Sequence, residues 1–221
     1  GSTVHATGGI FGLSAGANMW QHSSSGEAFG KDIDKFLDLD DDSDAHVWAE
    51  WDHFLPLIPS VRFDHTGLVQ EGADNSRVDL THTDFTVFWS PLPLPFVSLD
   101  IGLTARQFDG EFDGGNLGGA LPDKWTDKID TSTTFSGWLP MGYVRAAIDL
   151  PASPLRAEAS IKDLSIGDNS IRDMQANLVY KFFYAGVMAG YRQLSIELDG
   201  FEDITTDLSF SGPYLGGFVR F

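Results

Sequence analysis

Hydrophobic and polar residues alternate along most of this chain, and the alternation has a period of two. In "LRAEASIK", Leu155, Ala157, Ala159 and Ile161 fall on one face, with Arg156, Glu158, Ser160 and Lys162 on the other. "VSLDIGLTAR" sets Val97, Leu99, Ile101, Leu103 and Ala105 against Ser98, Asp100, Gly102, Thr104 and Arg106. In "DMQANLVYKF", Met174, Ala176, Leu178, Tyr180 and Phe182 oppose Asp173, Gln175, Asn177, Val179 and Lys181. Period two marks a strand with two unlike faces, whereas an amphipathic helix repeats every ~3.6 residues. No helical periodicity of comparable length occurs. The pattern predicts about ten strands, near 9–20, 46–55, 60–69, 77–90, 96–108, 136–150, 154–166, 171–182, 185–198 and 204–221, with eight strands as the alternative count.

The connections differ in character. "PLIP" (56–59), "PLPLP" (91–95), "PASP" (151–154) and the junction at Phe183 are short. The connections between them are mostly longer and acidic, and "KDIDKFLDL" (31–39) has the composition of a short surface helix within the first. Short turns at one end and long acidic loops at the other describe a closed antiparallel up-and-down transmembrane β-barrel, with short periplasmic turns and long extracellular loops. The whole chain, 1–221, reads as one such domain, and Gly1–Ser2 reads as a cloning scar. A soluble antiparallel barrel or sandwich has the same period, so the period alone does not say which face points inward.

Charge separates the two. The polar strand face carries Glu50, Asp52, Asp64, Asp84, Asp100, Asp149, Glu158 and Asp173, and also Arg62, Arg106, Arg145, Arg156, Lys162, Lys181 and Arg220. That face is nearly neutral, although the chain as a whole has a formal charge of −18. A water-facing surface needs no such balance, but a narrow lumen does, because a buried unpaired charge costs several kcal/mol. These residues are therefore assigned to a lumen-facing charge network. Aromatic residues form two bands. Phe54, Trp89, Phe96, Tyr180, Phe182, Phe183, Tyr184 and Phe221 lie beside the short-turn end, and Trp20, Phe108, Phe135 and Trp138 beside the loop end. Two such bands are the interfacial girdles of a membrane barrel.

"YLGGFVRF" resembles the C-terminal assembly signal of Gram-negative outer-membrane barrels, with Tyr214, Gly216, Val219 and Phe221 at the matching spacing. More narrowly, "AGYRQLSIELDGFED" with "DLSFSGPYLGGFVRF", and loosely "LSAGANMWQHSSSG", are similar to a family of small outer-membrane barrel proteins whose members largely lack an assigned function. The resemblance implies residence in the bacterial outer membrane, contact with its lipid and lipopolysaccharide, and recognition by the barrel-assembly machinery. It carries over no catalytic residue. Pro213 interrupts the closing strand, where a bulge or broken ladder is expected.

Composition removes several alternatives. No run of about 18 apolar residues exists, which rules out a transmembrane helix but not a barrel. With no cysteine, there is no disulfide framework and no Cys-based zinc site. The negative charge argues against a nucleic-acid partner, which needs clustered Lys and Arg. Gly-x-Ser-x-Gly, P-loop, His-Glu-x-x-His and complete EF-hand patterns are all missing. Asp79, His82 and Asp84 share one strand, and His46, Asp52 and His53 another, so an Asp–His pair at the rim is geometrically open, without a nucleophile beside it. Asp38, Asp40, Asp41, Asp42 and Asp44 supply carboxylates for a weak calcium or magnesium site, against the simpler reading of a solvated loop; no other cofactor is expected. The leading function is a non-enzymatic, monomeric outer-membrane barrel, either structural or a narrow small-solute conduit with a charge-paired lumen. The alternatives are a surface binding module, whose acidic loops take a cation, lipopolysaccharide or host ligand, and a rim hydrolase.

Overall fold

The computed structural model describes residues 12–28, 31–32, 42–52, 58–71, 77–92, 94–113, 132–167, 169–201 and 204–221. In chain order the strands are β1 (Leu13–Ala28), β2 (Lys31–Asp32), β3 (Asp42–Trp51), β4 (Ser60–Thr66), β5 (Val69–Glu71), β6 (Arg77–Asp79), β7 (His82–Trp89), β8 (Val97–Asp113), β9 (Ser132–Asp149), β10 (Leu155–Ile166), β11 (Asn169–Phe182), β12 (Ala185–Phe201) and β13 (Ile204–Arg220). Ten of them form a closed ring in the order β1-β3-β4-β7-β8-β9-β10-β11-β12-β13, every neighbour antiparallel, with β13 returning to pair β1. The short β5–β6 hairpin extends the wall between β4 and β8, and β2 pairs the far end of β1. Closure gives each of the ten ring strands a partner on both sides, which is the condition for spanning hydrocarbon with β-structure.

Several local features differ from what the sequence suggests. Lys31 and Asp32 pair as a strand rather than opening a helix, and the rest of 31–39 lies outside the described residues, as do Gly1, Ser2, His53 and Phe54. At the loop end, β10–β11 and β12–β13 are joined by tight hairpins, because their ladders continue to Ile166↔Asn169 and Phe201↔Ile204. At Pro213 the ladder is broken, as the sequence suggests, but without a bulge. The β1–β13 ladder skips Gln21 and His22 and resumes in the same register, from Trp20↔Tyr214 to Ser23↔Ser211. Trp20 fills the gap: its Nε1–H donates to the Gly212 carbonyl at 3.2 Å. Gly212 is required there, since a Cβ would come within 1.8 Å of the Gln21 carbonyl oxygen.

The two faces of the wall exchange character at one level. Nearer the short turns the outside is apolar, with Met19, Val47, Phe63, Phe85, Leu103, Val144, Leu178, Val187 and Leu215 exposed. Trp51, Trp89, Phe96, Tyr180, Phe182 and Phe221 ring its lower edge. Above it the outside turns polar: Tyr191 donates to Ser211, Gln193 donates to Ser195 and Ser209, and Arg172 pairs with Asp163. At that same level the inside turns apolar, with Trp20, Leu68, Leu80, Phe108, Leu194, Ile196 and Phe210 packed together. Trp20 and Phe108 are therefore not girdle residues. Both are buried inside, where Trp20 has no exposed surface, because each shares strand parity with inward neighbours such as Asn18 and Arg106. Of the loop-end band, Trp138 points outward at 62 % exposure, joined by Tyr191.

Candidate functional site

Inward positions on eight of the ten ring strands converge on one connected charge network. Starting from β8, Asp100 accepts from Arg145 at 2.7 Å, and Arg145 reaches Glu50 at 2.8 Å. Glu50 is shared with Arg62 at 3.1 Å, and Arg62 also grips Asp64 at 2.9 Å. Lys162 bridges Asp64 and Asp84 at 3.2 and 2.7 Å. Arg106 bridges Asp84 and Asp173 at 2.7 and 2.6 Å, and Arg192 closes the series on Asp173 at 2.6 Å. Signs alternate without a break, five carboxylates with five cations. The pairs join walls far apart in the ring, β3 to β9 and β4 to β10, so the chain of charges crosses the interior as well as lining it.

Neutral groups complete it. Arg192 donates to Thr66 at 3.0 Å and to His82 Nε2 at 3.1 Å, while His82 Nδ1–H donates to the Leu80 carbonyl at 2.8 Å. His82 thus carries its proton on Nδ1. His46 is set the other way, with Nε2–H donating to Asp64 at 3.0 Å and Nδ1 accepting from Asn18 at 2.9 Å. The arginine planes stack on rings: Arg62 over Trp48, Arg145 over Phe88 and Arg192 over Trp20, each at 4.5–5.0 Å. Guanidinium on an aromatic face is favourable in a desolvated setting.

The other assigned lumen residues lie nearer the short turns. Arg156 pairs with Asp149 at 2.7 Å and with Glu158 at 3.4 Å, and Lys181 pairs with the same Asp149. Asp52 accepts from Ser60, and Arg220 donates to the Phe183 carbonyl at 3.2 Å. In the closing strand Tyr214 is buried, a Cβ on Gly216 would meet the Ala17 carbonyl at 2.3 Å, and Val219 and Phe221 are exposed on the outer face. Asp38, Asp40 and Asp41 lie outside the described residues. Asp42 and Asp44 belong to β3, and Asp44 accepts from His22 and from the Val69 amide.

The Asp–His candidates that the sequence offers at the rim take part in other contacts. His82 and Asp84 are fully internal, and Asp79 accepts from Arg77 and from the Thr81 amide. His82, Asp84 and Asp173 do place ligand atoms within 4.8 Å of one another. A metal would nevertheless displace Arg106, Lys162 and Arg192, which already neutralise those carboxylates. Arg192, Asn18 and Thr66 also belong to the network, beyond the residues assigned to it from the sequence. Arg192 stands between outward Tyr191 and inward Leu194, on a strand whose inward face is mostly small or apolar; its even parity with Met188 and Gly190 was the available signal.

No protein-family model and no curated protein sequence matches the chain. By backbone shape it is similar to the outer membrane protease OmpT from Escherichia coli, with a TM-score of 0.56 at 9 % identity over 95 % of this chain and 96 % of that one. The translocator domain of the autotransporter NalP from Neisseria meningitidis gives 0.48 at 11 % identity, over 98 % and 90 % of the two chains. The Ralstonia pickettii toluene transporter TbuX gives 0.40 at 7 % identity, over 95 % and 90 %. At such identities the likeness is one of fold. The chain is a ten-stranded, closed, up-and-down barrel, the fold it shares with Gram-negative outer-membrane barrels.

Proposed function

We propose that this protein is a non-enzymatic barrel of the bacterial outer membrane whose interior is closed to through-passage of solutes and whose role is structural. The observation that carries this reading is the alternating ion chain spanning the lumen, capped by the apolar layer of Trp20, Phe210 and Leu194. A permeating solute would have to break several buried ion pairs at once and then cross a dry layer. Breaking one buried pair by itself costs about 3–5 kcal/mol.

The outer belt supports the location. About nine residues of strand at ~3.3 Å each, tilted by about 40°, give roughly 20 Å of apolar height before the aromatic edges are added. Lipid and lipopolysaccharide are the partners such a belt meets, and the closing-strand residues Tyr214, Gly216, Val219 and Phe221 are offered to the assembly machinery. A second reading, surface recognition, is favoured by the polar wall that β8, β9, β12 and β13 raise above the belt.

Reconstitution into planar bilayers tests the closed interior. The expected result is no stable conductance from the intact protein, with steps appearing in Arg106→Ala/Arg145→Ala. A large steady conductance from the unmodified barrel would refute it and favour the conduit.

A further inference from the structure

Below the ion chain the interior is hollow. A cavity of about 80 Å³ lies in the half of the barrel nearer the short turns. By the usual volume per buried water this is room for several. We infer that this cavity is a dead-end vestibule, entered from the short-turn side alone, that accepts small organic anions. The inference rests on the closed-interior reading above.

Solvent reach supplies the direction. Side-chain exposure is 21 % at Lys181, 20 % at Glu158, 16 % at Arg62 and 11 % at Arg145, with Arg156 lower at 5 %, and beyond the cavity it is 7 % at Lys162 and 0 % at Arg106. Water therefore enters from the short-turn end and is stopped at the Arg106–Asp173 pair.

The lining supplies the chemistry. Arg62, Arg145, Arg156, Lys181 and Arg220 border the cavity, against Glu50 and Glu158. The other acids that balance these cations, Asp64, Asp100 and Asp149, are not part of the lining. An entering solute thus meets guanidinium and ammonium groups ahead of their counter-charges. Arg62 and Arg145 direct Nε, Nη1 and Nη2 to carboxylates, and a guanidinium with five N–H donors retains about two for a guest. Trp48 and Phe218 add apolar wall, which suits a carboxylate or sulfonate with a short carbon stem better than a bare inorganic ion.

The chain has no cysteine, so single reporters stand on a clean background. Ser14→Cys and Gln175→Cys place a thiol in the vestibule from two different strands. Ser153→Cys in a short turn and Ser25→Cys at the other end report orientation in vesicles. Two thiosulfonate reagents of similar size are compared, one ending in a sulfonate and one in trimethylammonium. Both vestibule reporters should react only from the side on which Ser153→Cys reacts. Relative to that control, the sulfonate reagent should be faster by roughly tenfold, the lower end of electrostatic focusing into a charged cleft. Lys181→Gln should narrow the ratio. Equal rates, or a faster cation, would overturn the anion assignment. Silence of both reporters in barrels that still shift on heating in SDS gels would overturn the vestibule and leave the closed interior standing. Reaction from the Ser25→Cys side would instead show a through-path and bring down the closed-interior reading itself.

Discussion

Arg106→Met is the most direct perturbation of the interior. The guanidinium has no exposed surface and makes three hydrogen bonds of 2.6–2.8 Å to Asp84 and Asp173. Removing it leaves five carboxylates facing four cations within the chain of charges. Neither acid is wholly abandoned, because Lys162 still holds Asp84 and Arg192 still holds Asp173. The loss should therefore sit at the lower end of the range for breaking a buried pair, about 3 kcal/mol. Arg172→Ala is the matched comparison: its bond to Asp163 is also 2.7 Å, but the two side chains are 46 % and 33 % exposed. An exposed pair is worth about 0–1 kcal/mol. Adding Asp84→Asn to Arg106→Met restores neutrality, and the double variant should be more stable than the sum of the singles by roughly 1–2 kcal/mol. Urea unfolding in lipid vesicles, read by tryptophan fluorescence and by the fraction migrating as folded barrel in cold SDS gels, measures the parent, the three single variants and the double variant. Losses for Arg106→Met and Arg172→Ala within about 0.5 kcal/mol of each other, or strict additivity in the double variant, would refute the reasoning.

Three further outcomes follow from the wall. Leu103→Arg, on the outer belt, should cost roughly 2–4 kcal/mol in vesicles, and Gln107→Arg, on the same strand and face but above the belt, about 0–1 kcal/mol; similar losses would mean the belt is misplaced. Gly212→Ala should impair refolding, since its Cβ would lie 1.8 Å from the Gln21 carbonyl oxygen, while Gly137→Ala, with nothing within 4 Å, should refold like the parent. Trp20→Phe removes the only side-chain donor shown for the Gly212 carbonyl among the described residues, and should lower urea stability by about 1–3 kcal/mol; an unchanged midpoint would show that the carbonyl finds another partner.

The strands were legible because period two survives wherever one face is apolar and the other carries charge. Val97–Ala105 and Leu155–Ile161 read directly, and the ring order follows from a meander. Strand ends were less legible. β8 runs to Asp113 and β9 begins at Ser132, through acidic, Gly-rich sequence that reads as loop, because above the belt the outer face is polar and alternation no longer signals pairing. Trp20 and Phe108 illustrate a conflict of signals. Their parity with Asn18 and Arg106 pointed inward, while their chemistry and position suggested a membrane edge. In the interior, parity groups Glu50, Asp64, Asp84, Asp100 and Arg106 on one face. Parity carries no information on which carboxylate meets which cation. That depends on the stagger of strands around the ring, which brings Lys162 to Asp64 across 98 positions of sequence and Arg192 to Thr66 across 126.

The exchange of polarity between the two faces has a mechanical consequence. A barrel with a uniform apolar outside could ride up or down in the bilayer at little cost. This one cannot, because Gln21, Ser43, Gln193, Ser211 and the Asp163–Arg172 pair form a polar collar directly above Met19, Val187 and Leu215. Sinking by two residues, about 5 Å of height along a tilted strand, would drag that collar into hydrocarbon, and rising by as much would put the apolar belt into water. The collar and the belt together act as a depth gauge, holding the polar rim and whatever it presents at a fixed height above the membrane.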